Sequence, residues 1–296
     1  MAEYADSQVL VSTEWADLHR NDHNVTVVEI DADVETYKRG HVPGAISWDP
    51  GTDLADRLRR DILGPSDLET LLSQSGVSNN SIIVICGDDR NRYALWAYWQ
   101  LKIYGHRDAR LLNGGREKWA AEERELTRVL PSVKPSSYRS RTLNQELRAF
   151  LPLVKTAVKS QDYEIVDVRS EAEFTGTGGT GGGGATVSQR SGHIPGAKNI
   201  PWGLLYEQDG TFRNPDDLRT LFESKGVTPD KEVITYSGVG ERASHAWFVL
   251  RHLLGYPVVK NYDGSWAEWG NLIGVAIETG AERPPRFARF EMDARR

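Results

Sequence analysis

Ser237 stands at the head of a short, glycine-containing loop that ends in an arginine. Residues 237–242 read Ser-Gly-Val-Gly-Glu-Arg, between an apolar run and a helical pattern. The two glycines let the backbone curl so that successive N–H groups point inward, and the next helix adds its positive N-terminal end. The Arg242 guanidinium then closes the loop. The segment therefore predicts a cradle for an anion around one reactive side chain.

The chemistry that this cradle favours is that of a thiolate. Such surroundings lower the pKa of a cysteine thiol from roughly 8.5 to about 3.5–7.5, so a cysteine at the head of the loop would be ionised at neutral pH. A serine hydroxyl at the same position is not ionised at neutral pH. Two geometric conditions follow: the loop amides must point at the Ser237 hydroxyl oxygen, and that oxygen must be open to solvent.

The elements that must position this loop occur twice, at an offset of about 150 residues. Three blocks return in the same order: a Gly-His-x-Pro-Gly-Ala motif, an apolar run followed by an aromatic helix, and a glycine-containing turn followed by a tryptophan. They lie at 40–45 and 192–197, at 81–99 and 232–248, and at 111–119 and 260–269. Two similar domains explain this repetition.

Within the first half, short β-branched runs alternate with helical stretches. The runs typical of buried parallel strands are Val25–Ile30, Ile82–Cys86 and Ala109–Leu112. Pro65 opens a helix in which Ser66 and Glu69 predict a capping box, and Ala94–Tyr104 is typical of a buried helix.

This alternation predicts an α/β fold with two tandem domains, each a mostly parallel sheet flanked by helices. Ligands of such sheets bind beyond the carboxyl ends of the strands, where Ser237 lies.

The domain limits follow from where the periodicity stops. We expect a first domain at 1–127, a linker at 128–147, a second domain at 148–280 and a tail at 281–296. The glycine-rich segment 176–184 lacks the Gly-Lys-Ser/Thr ending of a phosphate-binding loop, so a surface loop is the simpler prediction.

Composition narrows the function classes. The 296 residues are 39% hydrophobic and 26% charged, with a net charge of −6 and one cysteine. The acidic balance argues against a nucleic-acid partner, and no apolar run is long enough for a membrane span. No Cys/His cluster has zinc spacing, so we expect neither a metal nor a cofactor. The start lacks the pattern of a signal peptide, which predicts a cytoplasmic protein.

The repeated motifs, the loop at 237–242 and the ending Asn261–Trp266 together resemble the two-domain rhodanese sulfurtransferases, in particular the thiosulfate sulfurtransferases of actinobacteria. The resemblance covers roughly residues 8–280. It implies a non-catalytic first domain and a second domain that carries the catalytic loop. It also implies that the loop begins with a cysteine, which takes a sulfane sulfur from a donor, becomes a persulfide and passes the sulfur to cyanide or another thiophilic acceptor, including a protein thiol.

Carried onto this chain, the resemblance places Ser237 at the cysteine position and makes Arg242 the side chain that holds the anion. The substrate-binding amides belong to Gly238, Val239, Gly240, Glu241 and Arg242. Arg190, on the segment entering the second Gly-His motif, is the candidate for a further basic contact.

The loop combines two donor signatures. The resemblance implies that users of thiosulfate carry basic side chains in the loop, whereas users of 3-mercaptopyruvate have glycine second. Arg242 favours thiosulfate because a guanidinium binds a dianionic sulfonate through two hydrogen bonds. Gly238 favours 3-mercaptopyruvate, and Glu241 partly neutralises the pocket. We therefore expect a small anionic sulfur donor, with thiosulfate favoured.

The serine is the departure from the family pattern. Its hydroxyl cannot hold a persulfide, so the chain as written is expected to be inactive in sulfur transfer. Either a Cys-to-Ser substitution traps an inactive form, or a natural loss leaves a non-catalytic oxyanion-binding or regulatory protein. A phosphatase is a third class, although phosphatase loops of this kind are one residue longer than 237–242.

Other polar residues near the motifs are expected to be structural. Cys86 is a rival nucleophile, but two aspartates follow it and would raise its thiol pKa, so we expect a buried strand-end cysteine. His41 and His193 recur in both repeats and are expected to be satisfied within the fold. Asp167 and Arg169 are expected to support the wall of the site.

Overall fold

The chain forms two compact units in the computed structural model, which describes residues 3–178 and 188–281. The first unit runs to Gln145 and includes Tyr206–Asn214, while the second comprises Glu146–Leu205 and the residues from Pro215 onward. The expected linker thus groups with the first unit as far as Gln145, and the four expected domain limits stay a prediction. The predictions for the glycine-rich segment beyond residue 178, and for the tail beyond residue 281, lie outside the described residues.

The first unit is built on a five-stranded parallel sheet in the order β1-β7-β6-β2-β3, with a separate antiparallel pair β4-β5. The strands are β1 (Leu10–Val11), β2 (Val25–Glu29), β3 (Ile46–Ser47), β4 (Ala55–Asp56), β5 (Asp61–Ile62), β6 (Ile82–Cys86) and β7 (Ala109–Leu112). The three predicted strands are confirmed, and the first ends one residue earlier than expected.

The α-helices in the described part of the first unit are α1 (Thr13–His19), α2 (Val34–Arg39), α3 (Pro65–Gln74), α4 (Arg92–Ile103) and α5 (Gly115–Ala121). The predicted capping box of α3 is wrong. Gly64 is the N-cap, and no side chain caps this end. Glu69 instead accepts hydrogen bonds from the Ser140 N–H and from Arg139, at 2.9 and 2.8 Å.

The second unit repeats this plan with a four-stranded parallel sheet in the order β11-β10-β8-β9. Its strands are β8 (Tyr163–Asp167), β9 (Lys198–Asn199), β10 (Glu232–Tyr236) and β11 (Val259–Asn261). Its helices are α6 (Leu151–Ala157), α7 (Glu171–Thr175), α8 (Pro215–Glu223), α9 (Ala243–Phe248), which continues as a π-helical turn, and α10 (Ser265–Trp269). The order matches β7-β6-β2-β3, which confirms the α/β class and the tandem repeat.

Parallel register brings the carboxyl ends of the central strands together in each unit. Glu29 at the end of β2 lies opposite Cys86 at the end of β6, and Asp167 at the end of β8 lies opposite Tyr236 at the end of β10. All four residues are fully buried. Ser237 is therefore the first residue beyond the buried end of β10. In the described residues, no helix combines the length and apolarity needed to cross a bilayer.

The first unit has no room for a side chain at the position that repeats Ser237. The Cys86 carbonyl accepts from the Ile30 N–H at 2.8 Å, as the Tyr236 carbonyl accepts from the Val168 N–H at 3.0 Å, so Gly87 is the counterpart of Ser237. A Cβ atom on Gly87 would overlap the carbonyl oxygen of Ile30. The glycine is required by the close approach of the two strands.

We predict that Gly87→Ser lowers the free energy of unfolding by about 3 kcal/mol or more, because the backbone of Ile30 must move to admit the new side chain. Urea unfolding monitored by tryptophan fluorescence measures this. The control is Gly64→Ser, where the new Cβ makes ordinary contacts and serine is a good N-cap. Equal stabilities of the two variants would contradict the prediction.

Candidate functional site

The head of the loop is fixed from the chain segment that begins α10. The Ser237 N–H donates to the Ser265 Oγ at 3.1 Å, and the Ser237 carbonyl accepts from the Trp266 N–H at 3.0 Å. The next carbonyl, that of Gly238, accepts from the Ala267 N–H at 2.9 Å. Main-chain contacts therefore hold the first two residues of the loop in place, whatever side chain residue 237 carries.

One loop amide points at the Ser237 side chain. The Gly240 N–H donates to the Ser237 Oγ at 3.1 Å. Gly240 has φ +99°, and a Cβ there would overlap Asp263, so the curl requires glycine at this position. Its carbonyl accepts from the Asn261 Nδ2 at 3.1 Å, which ties the curl to the end of β11.

The Ser237 hydroxyl is not open to solvent in this conformation, contrary to the sequence expectation. Ser237 is 0% exposed, whereas Val239 at the tip of the loop is 40% exposed. Gly238 and Gly240 are buried as well. A donor therefore reaches the Ser237 Oγ only if part of the loop moves, and the tip is the part that faces solvent.

Arg242 does not lie over an open anion site. Its Nη1 and Nη2 donate to Glu173 Oε2 and Oε1, both at 3.1 Å, in a bidentate ion pair whose side chains are 17% and 16% exposed. Its Nε is buried with no hydrogen-bond partner among the described residues. In this conformation, the guanidinium expected to hold the donor is occupied by a carboxylate of the protein, and the role of Arg242 as the side chain that holds the anion stays a prediction.

Glu173 was missed by sequence reasoning, although a local signal was present. Ser170-x-x-Glu173 forms a complete capping box at the start of α7, with the Ser170 N–H donating to Glu173 Oε2 at 3.1 Å. Burial raises the pKa of Glu173, but the hydrogen bonds and charge of Arg242 outweigh it and lower that pKa overall. Glu173 is therefore ionised at neutral pH.

Glu241, the fifth residue of the loop, is 4% exposed. Its carbonyl accepts from the Ser244 Oγ at 2.6 Å, in the turn that leads into α9. The loop thus contributes an acidic side chain beside its arginine, as the sequence indicated.

Arg190 has a structural role that its sequence position did not reveal. Its guanidinium donates to four main-chain carbonyls at 2.8–3.0 Å, those of Trp269, Gly270, Leu272 and Val275. These bonds use all three of its nitrogens. In this structure Arg190 stabilises the turns that follow α10, and the expected contact with substrate stays a prediction.

The wall behind the loop is a buried ion pair. Asp167 accepts from Arg169 through Nε and Nη2, the latter at 2.6 Å, and Nη2 also donates to the Gly192 carbonyl at 2.7 Å. The guanidinium stacks over the Trp266 ring, with 4.7 Å between its central carbon and the ring centroid. Asp167 and Arg169 support the site, as expected from the sequence.

The two motif histidines are satisfied by the backbone. His41 Nδ1 lies 3.0 Å from the Tyr37 carbonyl, and His193 Nδ1 lies 2.8 Å from the Phe174 carbonyl. Each imidazole stacks on the ring of that partner, and both histidines are buried. They are structural, as expected.

Cys86 is excluded as an accessible nucleophile in this conformation. It is 0% exposed, and its pKa is raised well above the usual value by burial and by the neighbouring Glu29 and Asp31. A buried, protonated thiol reacts slowly. The expectation of a structural strand-end cysteine agrees with this geometry.

The same end of the first unit holds more carboxylates than cations. Glu29 is paired with Arg116 at 3.0 Å, and Asp31 accepts from the Asp88 N–H at 3.0 Å. Burial, Glu29 and Asp88 raise the pKa of Asp31 to about 8. Among the described residues, no group of three or more His, Cys, Asp or Glu side chains could hold a metal ion.

A rhodanese-like domain model matches residues 12–122 and 152–272 of this sequence. The chain belongs to the rhodanese family. Both matched ranges contain a parallel sheet, and the second contains the loop at 237–242. The resemblance noted from the repeated motifs is thus confirmed for both domains.

Curated relatives cover nearly the whole chain. The protein is 44% identical to the sulfur carrier protein TtuD of Thermus thermophilus, over 94% of this chain and 99% of that protein. It is 43% identical to a protein of the actinobacterium Saccharopolyspora erythraea named "Putative thiosulfate sulfurtransferase", over 93% and 98%. A Haloferax volcanii protein of the same name is 42% identical, over 94% and 99%. These members of the family are named for sulfur transfer.

Solved structures agree with the rhodanese-like fold. The anaerobic ergothioneine biosynthesis enzyme of Chlorobium limicola, solved with its natural substrate trimethyl histidine, is 25% identical with a TM-score of 0.82, over 95% of this chain and 72% of that one. The wild-type structure of EanB has a TM-score of 0.83 at 25% identity, over 95% and 71%.

The raised pKa of Asp31 leads us to expect that the free energy of unfolding depends on pH. Because its folded-state pKa of about 8 exceeds the ordinary value of about 3.9, the folded chain retains a proton that the unfolded chain has released across this window. The free energy of unfolding therefore falls as pH rises from about 4 to 8, by at most about 1.4 kcal/mol per pH unit for this group. We expect Asp31→Asn to flatten that slope, measured by urea unfolding at several pH values.

The control for Asp31→Asn is Asp67→Asn, at an exposed aspartate in α3. It should leave the slope unchanged. If Asp31→Asn also leaves the slope unchanged, Asp31 is not protonated in the folded chain.

Proposed function

We propose that the loop at 237–242 is the sulfur-transfer site of this rhodanese, acting on a sulfane sulfur through residue 237. The observation that carries the proposal is the Gly240 N–H aimed at the Ser237 Oγ at 3.1 Å. An amide fixed in this direction stabilises negative charge on the side-chain atom of residue 237. A thiolate gains from this interaction, whereas a neutral hydroxyl uses it only as an ordinary hydrogen bond.

With cysteine at position 237, and with the loop tip at Val239 moved to admit the donor, the reaction has two steps. The thiolate attacks the outer sulfur of thiosulfate, forming a new S–S bond while the old S–S bond breaks and releases sulfite. Cyanide then attacks the terminal sulfur of the persulfide, forming thiocyanate and returning the thiolate. The Gly240 amide stabilises the negative sulfur at the start and end of this cycle.

With Ser237, this covalent cycle cannot begin, because a hydroxyl is not ionised at neutral pH and cannot carry a sulfane sulfur. The chain as written therefore keeps a loop that can bind the donor, but it transfers no sulfur through residue 237. Thiosulfate is the proposed donor because the relatives from Saccharopolyspora and Haloferax are named for it. The acceptor is any thiophile, including a protein thiol.

A second candidate is a non-catalytic oxyanion-binding or regulatory protein. It is favoured by the presence of serine itself, because the Ser237 hydroxyl can donate to a bound oxyanion while it accepts from the Gly240 N–H. Calorimetry with sulfate, sulfite and thiosulfate tests this candidate on the chain as it stands. No heat of binding from any of the three would remove it.

We expect Ser237→Cys to form thiocyanate from thiosulfate and cyanide at least about 100-fold faster than the parent chain, because it restores an ionisable nucleophile to a prepared loop. The measurement is colorimetric detection of thiocyanate, repeated with 3-mercaptopyruvate as donor. Mass spectrometry of the donor-treated variant should show the gain of one sulfur atom.

Two variants control this experiment. Ser237→Ala should stay at the background of the parent chain. Cys86→Ala added to Ser237→Cys should keep the activity, because burial and the neighbouring Glu29 and Asp31 raise the pKa of the Cys86 thiol well above its usual value. A folded Ser237→Cys variant that forms no thiocyanate from either donor and gains no sulfur would overturn the proposed function.

A further inference from the structure

The guanidinium of Arg242 has different hydrogen-bond partners from those of Arg190 and Arg169. Arg190 is held by four main-chain carbonyls, and Arg169 is held by Asp167 and the Gly192 carbonyl. In each case, at least one contact is to backbone that the fold fixes. Among the described residues, the guanidinium of Arg242 donates to one side chain, that of Glu173, at 3.1 Å for each bond.

The carboxylate of Glu173 occupies the part of Arg242 that a sulfonate would use. A bidentate guanidinium contact needs two parallel N–H groups facing two oxygens, and carboxylates and oxyanions of sulfur present the same pair of oxygens. Both terminal nitrogens of Arg242 are already committed to Glu173. An incoming donor must therefore displace that carboxylate or bind beside it.

Glu173 is well placed to keep this position. Its Oε2 accepts from both the Ser170 N–H and Arg242 Nη1, at 3.1 Å each, so the capping box of α7 orients the carboxylate toward the loop. The Glu173 and Arg242 side chains are 16% and 17% exposed, so water screens the pair only in part. Glu241 is also buried and adds a second acidic residue to this part of the site.

We propose that Glu173 is a specificity-determining residue that weakens the binding of doubly charged sulfonate donors at this loop. The inference rests on the proposed function, since it concerns the donor of that site. A donor with two negative charges is repelled more strongly by the Glu173 carboxylate than one with a single charge, and it loses more by the occupation of Arg242. Thiosulfate is therefore penalised relative to 3-mercaptopyruvate, which carries its charge on one carboxylate.

The first test measures binding to the chain as it stands, without catalysis. We expect Glu173→Gln to bind thiosulfate at least about 10-fold more tightly by calorimetry, because it removes one charge and frees the charge-assisted contact. Glutamine at this third helical position still supports the capping box, so the start of α7 is retained. Unchanged thiosulfate affinity in a folded Glu173→Gln variant would overturn the inference.

Two further variants separate charge from structure. Ser170→Ala removes the capping hydroxyl but keeps the Glu173 charge, and should lower stability while leaving thiosulfate affinity within about threefold of the parent. Glu173→Asp keeps the charge and should keep the weak affinity. If Ser170→Ala tightens binding as much as Glu173→Gln does, a general loosening of α7 explains the effect and the inference is wrong.

The second test uses activity in the Ser237→Cys background. There, Glu173→Gln should lower KM for thiosulfate about 10-fold with kcat within about threefold, and should change KM for 3-mercaptopyruvate less. If Ser237→Cys is inactive with both donors, the proposed function fails. If it is active and Glu173→Gln leaves the ratio of the two KM values unchanged, only the role of Glu173 fails.

Discussion

Each domain has a buried carboxylate at the carboxyl end of an inner strand of its sheet, β2 or β8, and that charge must be neutralised. Glu29 and Asp167 are both fully buried, and an unpaired carboxylate in such a place is strongly destabilising. In each domain, one arginine supplies the counter-charge. The same guanidinium also donates to the carbonyl of the glycine in the Gly-His motif, Gly40 or Gly192. The ion pair thus joins this inner strand to the Gly-His motif.

The two domains meet this requirement with arginines from different places in the repeat. In the first domain the arginine is Arg116, at the position of Trp266, since their N–H groups bind the equivalent carbonyls of Gly87 and Ser237. In the second domain it is Arg169, two residues after the carboxylate.

This exchange has consequences for the chemistry of each domain. Where the second domain has Arg169, the first has Asp31, so an acid replaces a cation beside the strand ends. Asp31 and Gly87, where there is no space for a side chain, together make the first domain unsuited to an anionic donor. The expectation that the first copy is non-catalytic stays a prediction, and these two features support it.

Local features of the sequence were predictable, while partners distant in the chain were not. The β-branched runs predicted the strands, because buried parallel strands require continuous apolar surface. The Ser-x-x-Glu pattern occurs both at 66–69 and at 170–173, yet only the second forms a capping box, because the helix at Pro65 begins one residue before the serine. The partner of Arg242 lies 69 residues earlier in the chain, and only the folded backbone brings the two together.

The shape of the loop does not depend on which side chain residue 237 carries. The contacts that hold the loop at Ser265, Trp266 and Ala267 all involve the main chain of residues 237 and 238. The curl at Gly240 depends on the positive φ of this glycine and on the hydrogen bond from the Asn261 side chain to its carbonyl. Neither feature involves the side chain of residue 237. The direction of the Gly240 amide is therefore set by the fold and does not require a negative charge on residue 237. The direction of this amide and the side chain of residue 237 are therefore specified by different residues, so the proposed site keeps the amide whichever side chain residue 237 carries.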